Sequence, residues 1–201
     1  MARDLAVRFG RRRLFEGLSV TVRPGAPLAV LGDNGAGKSS LLRVFAGLLA
    51  PSHGEVTVEL AGGAVRPEDV PRTVGFAAPA LDLYEPLTAR ENLRFLARAR
   101  RLPDAEERIA ALLDRVGLGA RADDAVGEFS TGMRQRLRLA TALLHDPPVL
   151  LLDEPGAALD AAGRGLTEAL IRDATRVVVV ATNDPAEAAL CTRRVELGGR
   201  G

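Results

Sequence analysis

The only lysine among the 27 basic residues of this 201-residue chain, Lys38, lies in the glycine-rich stretch LGDNGAGKSS at residues 31–40. A glycine followed after four residues by Gly-Lys-Ser is the pattern of a phosphate-binding loop. Glycines let backbone N–H groups point at phosphate oxygens, and a compact ammonium group reaches between two phosphates, where an arginine would present a planar fork. The Ser39 hydroxyl suits Mg²⁺. We expect the nucleotide to be contacted by Gly32, Asp33, Asn34, Gly35, Ala36, Gly37, Lys38, Ser39 and Ser40.

Two adjacent carboxylates follow a second apolar run, VLLLDEP at residues 149–155. A neighbouring strand end of this kind brings carboxylates to the metal beside the phosphate loop. Asp153 suits Mg²⁺, through a bound water, and Glu154 suits the orientation or deprotonation of a water that attacks phosphorus. The pattern therefore predicts Ser39 and Asp153 at the metal, and Lys38 and Glu154 at the catalytic centre.

Apolar runs and helical patterns alternate along the chain, which is typical of parallel strands joined by helices. PLAVLG, PVLLLDEP and RVVVVATND have strand character, whereas SSLLRVFAGLLA and GLTEALIRDA have helical spacing. LAVRFG, LSVTVRPG and GEVTVEL alternate apolar and polar residues, which predicts a small antiparallel layer. We expect one α/β domain, with a core over about residues 1–80 and 147–201 and a helical subdomain over about 81–146.

Composition excludes several classes of protein. The formal net charge is only +1, with arginines and acidic residues interspersed, so no nucleic-acid partner is expected. The single cysteine, Cys191, cannot form an intramolecular disulfide and is interpreted as a core residue. No apolar run approaches the roughly 20 residues that a membrane-spanning helix needs, and the N-terminus lacks the pattern of a signal peptide. A membrane role would therefore require another protein as the anchor.

The segment FSTGMRQR, at residues 129–136, resembles the signature of ATP-binding cassette (ABC) ATPases. Ser130 and Gly132 occupy the fixed serine and glycine positions, while Thr131 and Met133 stand where glycine and glutamine are common. The order of phosphate loop, helical insert, signature, LLLDEP and ALD also agrees with this family over essentially the whole chain. The resemblance implies a P-loop NTPase fold of ABC type, with a RecA-like core, an antiparallel β layer and an inserted helical subdomain.

The resemblance also implies a mechanism and partners. ATP and Mg²⁺ are the expected cofactors, and Phe9 stands where the family stacks an aromatic ring on adenine. Two cassettes, identical or different, are expected to pair head to tail, so that the signature residues of one meet the γ-phosphate held by the other, with Asp160 at the interface. An integral membrane permease is the expected partner, which would place the chain peripherally on the cytoplasmic side of the inner membrane.

Two positions depart from the family pattern. Asn183 stands where a switch histidine contacts the γ-phosphate, and an amide can donate a hydrogen bond there but cannot take a proton or become a cation. Pro79 stands where the family has a glutamine that touches the metal site and relays motion to the membrane partner. The two histidines, His53 and His145, are interpreted as structural or surface residues. We therefore expect Glu154 to be the base and Asn183 only to position the γ-phosphate through a hydrogen bond.

Several functions remain open at the level of sequence. A transporter subunit is favoured because the chain has one cassette and no coiled-coil insertion. In its short length and its altered switch residue, the chain is similar to the haem-exporter ATPases of cytochrome c maturation. This similarity implies export. The alternatives are a soluble ABC-type ATP switch and a degenerate cassette with little hydrolysis. A GTPase is disfavoured because TNDP is not the guanine-reading motif, and a small-molecule kinase would leave FSTGM unexplained.

Overall fold

The computed structural model describes residues 1–198 and contains three sheets and seven α-helices within that range. The strands are β1 (Ala2–Phe9), β2 (Arg12–Val20), β3 (Leu28–Leu31), β4 (His53–Val56), β5 (Glu59–Leu60), β6 (Gly63–Ala64), β7 (Val74–Ala77), β8 (Val149–Asp153), β9 (Val177–Ala181) and β10 (Arg193–Glu196). The helices are α1 (Lys38–Phe45), α2 (Val70–Thr73), α3 (Ala89–Arg100), α4 (Ala105–Arg115), α5 (Thr131–Leu143), α6 (Ala161–Ile171) and α7 (Pro185–Leu190).

The central sheet has five parallel strands in the order β10-β3-β9-β8-β7. Its middle strands are nearly continuous apolar runs, as expected for strands covered on both faces, and all five residues of β8 are buried. Helices cover one face, and helix α1 together with the antiparallel layer covers the other. Since the strands are parallel, their carboxyl ends lie at one edge. That edge collects the loops that follow β3, β7, β8 and β9, which is where ligands bind in open α/β sheets.

A three-stranded antiparallel sheet, in the order β2-β1-β4, packs on one face of the central sheet. One apolar cluster joins the two sheets through Leu5 and Phe15 of the antiparallel layer and Val30 and Leu151 of the central strands. The predicted layer is present with two changes. Strand β2 starts at Arg12, before the predicted LSVTV run, and the predicted strand GEVTVEL is divided between β4 and the short β5–β6 hairpin.

The segment between β7 and β8 is helical, as the arginine-bearing amphipathic patterns predict, and α3, α4 and α5 lie there. Helix α3 begins in a capping box, because the Thr88 hydroxyl accepts from the Glu91 N–H while the Glu91 carboxylate accepts from the Thr88 N–H. A second apolar cluster ties these helices to the sheet through residues such as Leu93, Ile109, Leu137 and Leu150. The subdomain boundaries, about 81–146, stay a prediction.

One strand of the central sheet lies outside the sequence predictions. Strand β7 was not predicted because VGFA is only four residues long and contains glycine, although it forms the edge of the central sheet beside β8. Residues 199–201, the end of the predicted core, lie outside the described range. Across residues 1–198, no helix combines the length and the apolar character needed to cross a membrane.

Gly75 of β7 provides a test of how closely the helical segment packs on the sheet. A Cβ atom at Gly75 would lie 2.2 Å from the carbonyl oxygen of Ala142 and 2.6 Å from the ring of Pro147. Overpacking of this kind costs about 1–3 kcal/mol, so Gly75→Ala should lower the free energy of unfolding in urea by that amount.

The matched control is Gly165→Ala in α6, where the new methyl group would meet nothing within 4 Å. At this exposed helical position the substitution should raise the free energy of unfolding by about 0.5–1 kcal/mol, because alanine favours the helix more than glycine does. Equal stability of the two variants would contradict the packing of β7 against α5.

Candidate nucleotide site

The phosphate loop follows β3 and requires glycine at two points. Gly32 has φ 140°, and a Cβ atom there would lie 2.5 Å from the carbonyl oxygen of Leu197. Gly37 has φ 102°, and its Cβ would lie 3.0 Å from Leu14 of β2. Both values fall in the left-handed region that residues with a side chain avoid. The glycines that the motif specifies are thus required by the backbone and by close neighbours.

Helix α1 begins at this loop without a side-chain cap. Its N-cap is Gly37, which offers no oxygen to the first-turn N–H groups, and the first turn has no acidic residue. By contrast, Thr88, Ser130, Asp160 and Asp184 cap the helices that follow them through side-chain oxygens. An uncapped helix N-terminus with open N–H groups suits a phosphate, which supplies both the acceptors and the negative charge.

Lys38 lies at the centre of the site and is only 7% exposed. Its ammonium group donates to the Gly32 carbonyl oxygen at 2.7 Å and to the Asn183 side-chain oxygen at 3.0 Å. The Glu154 carboxylate is 3.7 Å away. The structure therefore brings together the predicted cation, the predicted base and the residue at the switch position, which come from the loops after β3, β8 and β9.

Asp153 and Ser39 fit a divalent cation. Asp153 is 5% exposed, and its Oδ1 atom is buried without a hydrogen-bond partner. Burial raises the pKa of this carboxyl group, while the Ser39 hydroxyl and the Lys38 ammonium act in the opposite direction. A buried carboxylate oxygen without a partner beside a hydroxyl group is the set of hard oxygen ligands that Mg²⁺ prefers.

Glu154 is held in an unusual backbone conformation. Its φ is 47°, which is rare for a residue with a side chain, and its N–H donates to the Ala181 carbonyl oxygen at 2.8 Å. The Asn183 N–H points to the Glu154 carboxylate at 3.4 Å, and the Asn183 side-chain amide donates to Asn34 at 3.1 Å. The loop after β9 thus contacts both the carboxylate and the phosphate loop.

An open cleft of about 270 Å³ surrounds these groups. Its lining residues are Leu14, Asp33, Asn34, Gly35, Gly37, Lys38, Ser39, Ser40, Asp153 and Glu154. Sequence reasoning identified all of them except Leu14, which reaches the cleft from β2 and carries no motif. Of the other predicted loop residues, Ala36 is buried beneath the loop and Gly32 supports Lys38 through its carbonyl group.

Phe9 lies at the end of β1 and is 53% exposed. It does not line the cleft, but it pairs with Arg12 of β2, and the Arg12 guanidinium donates to the Gly35 carbonyl oxygen at 3.2 Å. The hairpin that carries Phe9 is therefore attached to the phosphate loop. Adenine stacking on Phe9 stays a prediction.

The signature residues Ser130, Thr131, Gly132 and Met133 form the start of α5 and do not line the cleft of their own chain. The Ser130 hydroxyl accepts from the Met133 N–H at 3.2 Å. Asp160 caps α6 and also forms an ion pair with Arg136 of α5. The signature helix and Asp160 are thus linked directly. Their role toward a second chain stays a prediction.

The other positions singled out from the sequence, one proline, one cysteine and two histidines, do not line the cleft. Pro79 is exposed just after the carboxyl end of β7, beside the strand that carries Asp153. Cys191 is buried, which raises the pKa of its thiol to about 11. His53 is exposed at the edge of β4, whereas burial lowers the pKa of His145 to about 4. Both histidines lie outside the cleft.

Comparisons with known proteins agree with this architecture. Residues 15–157 match the protein family described as ABC transporter. The ABC transporter ATP-binding protein NatA of Bacillus subtilis is 36% identical over 162 residues, which cover 79% of this chain and 66% of NatA. The taurine import ATP-binding protein TauB of Jannaschia sp. is 34% identical over 204 residues, which cover 96% of this chain and 75% of TauB.

A solved structure has the same fold. It is described as the dimeric post-hydrolysis state of an ATP-binding cassette bound to ADP and Pi, and it matches with a TM-score of 0.83 and 24% identity. The match covers 98% of this chain and 93% of that one, which confirms the predicted fold class. The chain spans about half to two thirds of the length of the first curated relatives it matches.

Replacing Asn183 by histidine tests the switch position. The imidazole can exchange a proton, which the amide cannot, so Asn183→His should raise the steady-state rate of ATP hydrolysis by about tenfold, below the full contribution of a general acid or base. Asn183→Ala, which removes the hydrogen bonds to Lys38 and Asn34, should lower the rate. An unchanged rate for Asn183→His would show that the amide is no handicap.

Proposed function

The chain belongs to the ABC transporter family, and from this premise we propose that it is the ATP-binding and ATP-hydrolysing subunit of a membrane transporter. The observation that carries the proposal is the position of Glu154, whose carboxylate lies 3.7 Å from the buried ammonium of Lys38 at the mouth of an uncapped phosphate loop. Pure binding of a nucleotide needs the loop and the cation. A carboxylate beside them, placed to orient or deprotonate a water, is what hydrolysis requires in addition.

The proposed mechanism starts from the contacts among Lys38, Glu154 and Asn183. Lys38 and the N–H groups of the phosphate loop bind the β- and γ-phosphates, and the phosphates replace the carboxylate as the partner of Lys38. Glu154, released from the ammonium group, orients the attacking water and accepts its proton. Asn183, whose side-chain amide donates to Asn34, would position a phosphate oxygen by the same amide group. A bound Mg²⁺, held by Ser39 and Asp153, would neutralise charge on the phosphates.

A second cassette completes the site in this proposal. The cleft is open to solvent, and Glu154 is one-third exposed, so water is not excluded from the reacting atoms in a single chain. The start of α5, with the Ser130 hydroxyl and the N–H of Gly132, offers a second helix N-terminus for the γ-phosphate. Gly132 is closely packed, since a Cβ there would lie 2.8 Å from the Ala158 carbonyl oxygen. Pairing of two identical chains is the simplest arrangement.

A membrane permease is the second proposed partner, and an apolar groove supports it. The groove, of about 250 Å³, lies between the phosphate-loop helix and α3, and its lining includes Leu48, Phe76, Leu83, Tyr84 and Leu96. Tyr84 also packs edge-on against the exposed ring of Phe95, with ring centroids 5.2 Å apart. Exposed aromatic and aliphatic side chains grouped in this way mark a protein contact. The contact would hold the chain peripherally at the cytoplasmic face of the membrane.

The cargo and the direction of transport are finer proposals. The relatives that match this chain include the taurine import protein TauB and also a linearmycin resistance ATP-binding protein of Bacillus subtilis, so their names do not agree on one cargo and do not support haem export. Export of haem for cytochrome c maturation therefore depends on the sequence resemblance alone. Purification of the tagged chain from solubilised native membranes tests it, because a haem band in the visible spectrum and a multi-span partner would support the proposal. Soluble partners alone would favour an ATP switch instead.

Glu154→Gln tests the catalytic proposal. The amide keeps the shape of the side chain but accepts no proton, so steady-state ATP hydrolysis should fall by at least about 100-fold. Binding of ATP should be retained, because Lys38 and the phosphate loop are unchanged. The ATP-bound variant should therefore accumulate as a dimer, which size-exclusion chromatography with light scattering measures. Turnover that persists in Glu154→Gln, or a wild-type chain that binds ATP without hydrolysing it, would contradict the proposal.

Tyr84→Glu tests the groove. A carboxylate in place of an exposed aromatic ring opposes burial against an apolar partner, so the variant should be lost from washed native membranes that retain the wild-type chain. The matched control is Phe9→Glu, an equally exposed aromatic position on the β1–β2 hairpin, assayed without nucleotide. Equal membrane retention of the wild-type chain and both variants would argue against the groove as the docking site.

A further inference from the structure

Glu187 is a buried carboxyl group beside the catalytic loops that no motif assigns. It lies on α7 and is 8% exposed. One carboxyl oxygen, Oε2, accepts a hydrogen bond from the Thr182 hydroxyl, and the other, Oε1, is buried without a hydrogen-bond partner. Burying a carboxyl group is costly unless its contacts compensate, so its position calls for a structural or functional reason.

The contact with Thr182 belongs to a set of hydrogen bonds that holds the loop with Asn183. Thr182 is fully buried, and its N–H donates to the Val30 carbonyl oxygen at 3.2 Å. Its hydroxyl accepts from the Asp184 N–H at 2.9 Å while it donates to Glu187. The hydroxyl therefore links the Asp184 N–H to the Glu187 carboxyl group, and Thr182 and Asp184 are the two residues that flank Asn183. Removing the Glu187 acceptor would free the hydroxyl and, with it, the turn that directs the Asn183 N–H.

The second contact of Glu187 is with the loop after the catalytic carboxylate. A Cβ atom on Gly156 would lie 2.3 Å from the Glu187 Oε1 atom, so the carboxyl group occupies the space that a side chain would take. Gly156 is two residues after Glu154, and its carbonyl oxygen accepts from the Leu159 N–H. Glu187 thus lies between the loop after β8 and the loop after β9.

We propose that Glu187 is a positioning residue for ATP hydrolysis, which sets the distance between the Glu154 and Asn183 loops through its contacts with Gly156 and Thr182. The proposal rests on the proposed function, since it concerns the geometry of the hydrolytic site. The atoms that depend on it are the Asn183 N–H and the Glu154 carboxylate, now 3.4 Å apart. Glu187 is not a catalytic residue, because it does not line the cleft around Lys38, where the proposed function places the phosphates.

The surroundings of Glu187 shift the pKa of its carboxyl group upward. Burial raises the pKa of the carboxyl group, the Thr182 hydroxyl and the Gly156 backbone oppose that rise, and the charges of Asp184 and Glu154 add to it. Cys191 also lies against Glu187, since its thiol approaches the Glu187 carbonyl oxygen at 3.7 Å. A glutamine side chain has the same shape as the carboxyl group and keeps an oxygen that can accept from the Thr182 hydroxyl, so Glu187→Gln should preserve the hydrogen bond and fill the space beside Gly156.

The first experiment compares the ATPase kinetics of three chains. Glu187→Ala should lower kcat by at least about tenfold with KM for ATP changed less than about twofold, because misplacement of reacting groups by an ångström costs up to 100-fold while the phosphate loop is unaffected. Glu187→Gln should retain most of the wild-type kcat. Thr167→Val is the matched control, since it removes a buried hydroxyl of α6 that has no hydrogen-bond partner and should leave kcat unchanged.

The second experiment separates positioning from loss of stability. Gly156→Ala places a methyl group against the Glu187 carboxyl and should lower kcat by itself. In a chain that already carries Glu187→Ala the space is free, so adding Gly156→Ala should lower kcat little further. This non-additivity in kcat, measured together with thermal unfolding of each chain, identifies a shared contact.

The outcomes distinguish the two proposals. Absence of hydrolysis in the wild-type chain overturns the proposed function and this inference with it. Hydrolysis in the wild-type chain with unchanged kcat in Glu187→Ala overturns the inference alone. An equal loss of kcat in Glu187→Ala and Glu187→Gln would also overturn the inference, because the hydrogen bond and the shape of the side chain would then not matter. Additive losses of kcat in the double variant would overturn it as well, because Glu187 and Gly156 would then not act through a shared contact.

Discussion

The site depends on one buried cation. Lys38 is almost inaccessible to solvent, and an ammonium group without water needs acceptors on several sides. They come from the loops after three strands: the carbonyl oxygen of Gly32, the amide oxygen of Asn183 and, at a longer distance, the carboxylate of Glu154. This arrangement is possible because β3, β8 and β9 are adjacent and parallel, so that their carboxyl ends meet. Antiparallel pairing of any two would send one of these loops to the opposite edge of the sheet.

The same constraint explains the strain in the site. Glu154 follows the last residue of β8 and must turn toward Lys38 while its N–H donates to the end of β9, and it does so with φ 47°. Such conformations persist where the surrounding contacts fix them. The contacts here are the hydrogen bond to Ala181 and the packing of Pro155 and Gly156 on neighbouring elements, including a buried amide contact from Gln135 to the Pro155 carbonyl oxygen. The fold thereby orients a carboxylate before any ligand binds.

The residues that could be predicted from sequence are those whose chemistry is local. Gly32, Gly37 and Lys38 form a motif because the loop geometry depends on consecutive residues, and β8 and β9 are long apolar runs. Strand β7 is short and gains its stability from pairing with β8, which no local pattern records. Leu14 reaches the cleft from β2, a segment distant in the chain. Glu187 is close to Asn183 in sequence, but its contact with Gly156 joins two loops that are far apart in the chain, and its local context is only that of a glutamate in a short alanine-rich helix. Contacts of this kind depend on the tertiary structure, so sequence reasoning overlooked them.

Pro79, at the position where the resemblance to the family implies a glutamine, bears on how the proposed docking groove would be coupled to the proposed metal site. Proline has neither an N–H group nor a polar side chain, so no hydrogen bond from it can report on a ligand of Asp153. The loop that follows is instead held by its backbone: the Leu81 N–H donates to the Ala78 carbonyl oxygen at 3.0 Å, and Arg138 of α5 donates to the Leu81 carbonyl oxygen at 3.2 Å. Movement of a partner in the groove would then displace this loop together with α5, whose first residues are the signature. If the groove holds the proposed permease, coupling would therefore pass through a packed helix, because Pro79 offers no polar side chain for the purpose.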